Sequence, residues 1–255
     1  MKKAYMAKFW RRKDSGQVLI VAALSVALII ISTVAYVYEL NGGSKANNST
    51  SLNDYVLMIQ SGTRHVLLGS LANITHGDAS NVLWSNLQRW SMLVSKQYTL
   101  GKCLLDYMLV EASPYSSGVW ISWASNGVGI SSACANFGLE ISDRDVDVQK
   151  NYFLNVSTVL QVQGGYMRLS GGDKNVTLLI NLLNEDEPAL ARTILVYYRN
   201  LDEWFETDYV LTDYGNGTCH VSFATPVSSD TVEVSVRIAD QRDIIVMANA
   251  TCAEA

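Results

Sequence analysis

From Val18 to Tyr38 the chain reads VLIVAALSVALIIISTVAYVY, 21 residues without a charge. As a helix this run spans roughly 32 Å at 1.5 Å per residue, the thickness of a bilayer's hydrocarbon core. An unsatisfied backbone group in lipid costs several kcal/mol, so a lone run of this length is stable there only as a helix. Tyr36 and Tyr38 stand where interfacial anchors belong. Ahead of the run Lys2, Lys3, Lys8, Arg11, Arg12 and Lys13 face only Asp14, so the first 16 residues sum to +5. The whole chain carries -5, which leaves -10 for everything after residue 16. A basic flank stays in the cytoplasm, so the amino terminus is expected inside and the rest outside a cell membrane crossed once. A cleaved secretory signal fits less well: its apolar region has roughly 7 to 15 residues, and Glu39-Leu40-Asn41-Gly42-Gly43 lacks a small-x-small site.

The residues beyond the run carry the marks of an exported surface. Asn-x-Ser/Thr sequons stand at Asn47, Asn48, Asn73, Asn155, Asn175, Asn216 and Asn249. With 17 asparagines and 40 Ser plus Thr among 255 residues, chance gives about 2.7, so the excess points to N-glycosylation. Cys103, Cys134, Cys219 and Cys252 also lie beyond the run, and an even number in an exported domain reads as two disulfides. Three pairings are open. Cys103 with Cys134 and Cys219 with Cys252 is favoured because each loop then stays within one module, at about 3 to 4 kcal/mol each. Zinc is disfavoured, since no CxxC occurs.

With 49% hydrophobic residues and mean hydropathy +0.11 the chain is too apolar for disorder. Its composition changes along the length. Residues 1–16 form the basic leader and 17–40 the transmembrane helix. Residues 41–51 (NGGSKANNSTS) are a polar linker. Leu52, Val56, Ile59, Val66, Leu67 and Leu71 follow a helical stripe, and Leu83, Leu87, Trp90 and Val94 another after the break at Thr75-His76-Gly77-Asp78. These predict a helical hairpin ending near Tyr98, with Trp84 and Trp90 as packing residues. From Cys103 onward short apolar runs predict strands at 103–110, 119–124, 152–162, 166–169 and 176–183. Gly164-Gly165 and Gly171-Gly172-Asp173 read as hairpin turns. Gly127-Val128-Gly129 reads as a loop. Further runs at 193–198, 210–212, 218–223, 232–238 and 244–249 have the rhythm of an antiparallel sandwich. The expected fold class is α+β, with a helical hairpin and β-rich region at 52–172 and a sandwich at 173–255.

Two stretches carry resemblances. Arg11-Arg12-Lys13-Asp14-Ser15-Gly16 followed by Gln17-Val18 and the apolar run resembles the amino terminus of archaeal type IV pilin-like proteins. That resemblance implies a leader cut between Gly16 and Gln17. The stretches 184–191 (NEDEPALA), leading into TILVYY, and 213–223 (DYGNGTCHVSF) resemble immunoglobulin-like repeats of prokaryotic surface proteins. They imply an immunoglobulin-like β-sandwich, a fold that hosts many roles.

Chemistry is sparsely signalled. No GxSxG elbow, P-loop or HExxH occurs, and neither a catalytic centre nor a cofactor is expected. The acidic bulk disfavours nucleic acid as a partner. Asp143, Asp145 and Asp147 alternate as in a calcium loop, but Val148 and Leu154 stand where an EF-hand needs Gly and Glu, so no metal is expected. The leading expectation is a non-enzymatic, glycosylated, membrane-anchored protein of an archaeal envelope, structural or adhesive. Its partners would be the lipid bilayer and other envelope or pilus-like proteins, through the ectodomain or through the Ala23/Ala27 small-residue pair. The alternatives are a pilin-like subunit or accessory cleaved after Gly16, and an exported enzyme or solute-binding domain with a pocket around Trp120, Trp123, Asp143 and His220.

Overall fold

A computed structural model describes residues 52–99, 101–123, 126–143 and 147–255. The leader, the apolar run, the linker, the Gly16/Gln17 junction and Asn47 and Asn48 therefore lie outside the described residues. Among the described residues no helix is long and apolar enough to cross a membrane. The chain divides into two compact units, Met1–Met58 and Ile59–Ala255. Of the first, residues 52–58 are described and helical. The second, Ile59–Ala255, is α+β.

Helix α1 covers 52–75 and α2 covers Asn81–Gln97, the hairpin the stripes predict. Ile59, Leu67 and Leu71 on α1 and Leu83, Leu87 and Val94 on α2 are buried. The helices meet where Gly62 leaves room for Trp90: a Cβ at Gly62 would lie 2.3 Å from the indole. Trp90 Nε1 donates to Thr63 Oγ1 at 3.0 Å, which satisfies a fully buried hydroxyl. Trp84, by contrast, is half-exposed rather than packed.

The strands are β1 (Lys102–Leu109), β2 (Val119–Trp123), β3 (Val128–Ser142), β4 (Asp147–Arg168), β5 (Lys174–Asn184), β6 (Glu187–Pro188), β7 (Ala191–Asn200), β8 (Glu203–Glu206), β9 (Val210–Asp213), β10 (Thr218–Thr225), β11 (Val232–Asp240) and β12 (Ile245–Glu254). The main path runs β8-β7-β11-β12-β4-β5-β10-β9, antiparallel except for the short β12–β4 pairing. Along β5, Val176, Leu178, Ile180 and Leu182 are buried at alternate positions, and along β11 so are Val232, Val234, Val236 and Ile238. These faces share one core with Leu160, Val162 and Tyr166 of β4 and with Val246, Ala248 and Ala250 of β12. Period-2 alternation buries one face of each strand, and two such faces closing on one core is consistent with a β-sandwich.

Three sequence expectations need correction. The core shared by β5 and β11 reaches back before residue 173, because β4 runs unbroken from 147 to 168 and its second half pairs with β5 and joins that core. Gly164-Gly165 is not a turn. A Cβ at Gly164 would lie 2.6 Å from the Thr177 carbonyl oxygen and 3.2 Å from Cys252 Sγ, so this glycine serves close packing inside the strand. The Gly127-Val128-Gly129 segment is likewise not simply a loop. Gly127 N donates to the Asn249 carbonyl at 2.8 Å, and a Cβ at Gly129, inside β3, would lie 1.9 Å from the Met247 carbonyl oxygen. Gly171 and Gly172, with φ of 126° and 100°, do form the expected turn.

Beyond the sandwich, the first half of β4 pairs with β3 over fifteen residues, from Ser142↔Asp147 to Val128↔Gln161. β1 and β2 lie end to end along the other edge of β3. The helical hairpin covers one face of this extension: Ser91 Oγ donates to the Leu105 carbonyl at 2.6 Å, and Tyr152 Oη and Thr63 Oγ1 share a hydrogen bond at 3.3 Å.

Candidate functional site

The register of β1, β3 and β4 decides what the uncovered face of the extension displays. Tyr107, Phe137 and Tyr152 stand opposite one another on the helix side, with Phe137 and Tyr152 stacked at 5.2 Å. Burial raises the pKa of both tyrosines, and at Tyr152 the hydrogen bond with the Thr63 hydroxyl offsets part of the effect. The rows on either side point the other way. Asp106, Gly138 and Asn151 form one, and Met108, Asn136 and Phe153 the next. Together they line an open groove of about 460 Å³. Gly138 keeps its floor low, since a Cβ there would meet only Asn151 Oδ1, at 3.4 Å. Phe153 and Met108 are more than half exposed.

The groove offers one carboxylate, two carboxamides and two apolar side chains. Amides donate and accept without titrating, and an exposed ring supplies a stacking face. Such a surface suits a neutral polar ligand or an extended chain. None of these six residues was singled out from sequence, because their only signal is cross-strand register.

A second groove of about 390 Å³ lies on the helical hairpin, lined by Trp90, Arg89 and Asn86. The Asn73 sequon is part of that lining. His65 Nδ1 lies 2.8 Å from the Ser61 carbonyl on the same helix, so its ring is held against its own turn.

The densest charged cluster sits where β4, the β5–β6 turn and the β11–β12 turn meet. Asp240, fully buried, accepts from Arg242 N (2.9 Å), Arg242 Nε (2.8 Å), Thr158 Oγ1 (3.2 Å) and Ile244 N (2.9 Å). Arg242 Nη1 reaches Glu185 at 2.7 Å, and Arg64 from α1 binds the same carboxylate at 3.0 Å. Each buried charge here faces its counter-charge and its hydrogen bonds are filled, the pattern of a structural clasp.

No disulfide joins the four cysteines, all buried. The expected Cys103–Cys134 bond is excluded by register. Cys103 stands opposite Ile141, seven residues along β3 from Cys134, which is roughly 23 Å at 3.3 Å per residue, far beyond disulfide reach. Cys219 and Cys252 lie in the sandwich core on β10 and β12 and are not bonded either. Burial pushes the thiols of Cys134 and Cys219 up and that of Cys252 to about 11. Of the sequons, Asn73, Asn155 and Asn216 are exposed, and Asn175 and Asn249 are half-buried on strands. Asn216 occupies an open turn where its Oδ1 accepts the Thr218 N–H at 3.1 Å.

The pocket expected around Trp120, Trp123, Asp143 and His220 does not assemble. The tryptophans are on β2 and His220 is on β10, with β3, β4 and β5 between them, roughly 19 Å at strand spacing. Among the described residues no group of three His, Cys, Asp or Glu is placed to hold a metal ion. Asp145 lies outside them. No family model, curated protein or solved structure matches this chain.

Proposed function

We propose that this chain is a single-pass, glycosylated protein of an archaeal cell envelope, structural or adhesive, with its amino terminus in the cytoplasm and an immunoglobulin-like ectodomain outside. The observation that carries the reading is the order of signals along the sequence: basic leader, 21 uncharged residues, then seven sequons. That order is what a glycosylated ectodomain behind a signal-anchor requires. The strand order supports the immunoglobulin-like part. β9-β10-β5-β4 on one side and β12-β11-β7-β8 on the other, with β4 and β12 parallel, follow the D-E-B-A and G-F-C-C′ pattern of that sandwich. The groove at Asp106, Asn136, Asn151 and Phe153 is the surface an adhesive role would use.

Gly16-Gln17-Val18 favours a second reading, a pilin-like subunit or accessory cut after Gly16. Intact mass with amino-terminal peptide mapping on protein from native membranes separates the two. A start at Met1 or Lys2, with glycan mass on Asn216, is the result expected of an anchored ectodomain. A start at Gln17 replaces that reading with the pilin-like one, and a chain lacking both anchor and glycan refutes both.

A further inference from the structure

The strand path has two ends, β8 and β9, and they follow each other in sequence with only residues 207–209 between them. Among the described residues the sandwich is thus tied along β12 and β4 and left unpaired along β8 and β9. The alternation of antiparallel bonding shows which backbone groups face outward there. Thr207 N donates to the Val196 carbonyl, so Glu203, Phe205 and Thr207 bond toward β7, and Trp204 and Glu206 direct their N–H and C=O groups away. Tyr214 N donates to the Thr218 carbonyl, so Val210, Thr212 and Tyr214 bond toward β10, and Leu211 and Asp213 point away.

Proteins blunt such edges with lysines, prolines, other charges or very short strands; β8 and β9 are four residues each and carry carboxylates, but neither lysine nor proline. Segment 201–217 contains no Lys, Arg or Pro. It displays Leu201 at 91%, Val210 at 69%, Tyr214 at 59% and Trp204 at 45% exposure. Phe205 extends the core outward by stacking on Tyr198 at 5.7 Å, which stacks in turn on Phe223 at 6.3 Å. The same segment carries Asp202, Glu203, Glu206, Asp208 and Asp213, five carboxylates, the size of the whole chain's net charge. Arg199, the adjacent cation, is already committed to Glu233 and Asp202, each at 2.8 Å. Two copies pairing here would bring two such carboxylate rows together, so a second copy is the wrong partner.

We propose that the β8/β9 seam is a strand-addition site for an extended cationic segment of another protein, one carrying both basic and apolar side chains. Its main chain bonds the outward groups of Trp204 and Glu206 or of Leu211 and Asp213. Its apolar residues cover the exposed ring and aliphatic groups, and its cations meet the carboxylates.

The test uses the full chain in a zwitterionic detergent and a labelled ten-residue peptide alternating Lys and Val, read by fluorescence anisotropy. Binding is expected, weakening as salt rises. An alternating Glu/Val peptide, and a Lys/Val peptide with proline at every fourth position, should each bind at least about tenfold more weakly. Leu211→Pro and Trp204→Pro remove one outward N–H each without touching the β10 or β7 ladder, and one of them should cost about tenfold in affinity, identifying the edge used. The combined variant Glu203→Gln, Glu206→Gln, Asp208→Asn, at exposed positions that leave the fold intact, should weaken binding and flatten its salt dependence. Equal binding of the proline-bearing peptide, unchanged affinity in both proline variants, or self-association through this seam in place of peptide binding would overturn the proposal.

Discussion

The two edges of the β-rich core are held by different means. Where β12 meets β4 the chain spends its most restrictive residues: Gly127, Gly129 and Gly164 admit backbone where no Cβ fits, and the Asp240–Arg242–Glu185 clasp stands beside the same strands. Along β8 and β9 the charges are paired only at the surface, Arg199 with Asp202 and Glu233, one close-approach glycine, Gly217, sits in the turn after β9, and the rest is solvent-exposed rings, aliphatic groups and carboxylates. Strand pairing between β12 and β4 covers just two residue pairs, Ala253↔Gly165 and Glu254↔Tyr166. That side therefore depends on the clasp and the glycine contacts for its strength. The seam contributes little to holding the fold and leaves its surface available for something else.

The sharpest way to break this comparison is at Asp240. Asp240→Asn keeps the shape but removes the charge that Arg242 faces and turns one acceptor into a donor. A fully uncompensated buried charge costs about 3 to 5 kcal/mol; Arg242 keeps Glu185 at 2.7 Å, so urea unfolding should show a loss near the lower end, about 3 kcal/mol. A loss below about 1 kcal/mol would mean that Arg242 and Glu185 suffice without Asp240. Gly129→Ala comes next. Its methyl group would press on the Met247 carbonyl, a backbone atom that cannot rotate aside, and overpacking of this kind costs about 1 to 3 kcal/mol. Gly138→Ala, in the open groove, is the matched control and should be nearly silent in thermal unfolding.

The same contrast explains what could be read in the sequence. β11 was legible because Val232, Val234, Val236 and Ile238 alternate with Glu233, Ser235 and Arg237, and β5 because its apolar run is interrupted by Thr177 and Asn181 on the face away from the core. β3 was not. Ser131, Ser132, Ala133, Cys134 and Ala135 are buried in succession, covered on both faces, and a run of small residues has no period-2 signal. Gly129 and Gly164 looked like turn residues because a glycine needed for close approach and one needed for positive φ are the same letter. β8 escaped notice because four exposed residues, Glu-Trp-Phe-Glu, carry no inward face. The helical hairpin, with one buried stripe per helix, was legible to within a few residues. The groove residues became visible only with the β1–β3–β4 register, and the cysteine pairing failed for that reason too, since sequence proximity says nothing of position along a fifteen-residue strand.

A finer probe of the tied side is pH. Cys252 is fully buried with its sulfur against Gly164, and burial holds the thiol up to about 11 from an ordinary 9.0. The folded chain keeps its proton over a range where the unfolded chain has lost it. The stability this gives is complete below pH 9 and declines as pH rises from 9 to 11, by up to about 1.4 kcal/mol per pH unit. Urea unfolding at pH 8, 9 and 10 should show that decline, and Cys252→Ala should shift the whole curve down while reducing its slope. An unchanged slope in the variant would assign the alkaline loss to the buried tyrosines and to Cys134 and Cys219 instead.

The smallest expected effect is the one that most directly tests the division of labour. Val210→Ser deletes a side chain that is 69% exposed and Trp204→Phe trims a ring that is 45% exposed while keeping its covered part, so neither leaves a cavity nor an unpaired buried group, and both ladders keep their backbone bonds. Substitutions at such positions usually fall within about 0.5 kcal/mol. Both variants together should stay close to the parent in urea unfolding, because the two sites sit on different strands and share no core contact. A combined loss above about 2 kcal/mol would show that the exposed side chains of β8 and β9 hold the two layers together as firmly as the clasp does, and the contrast between the two sides would fall with it.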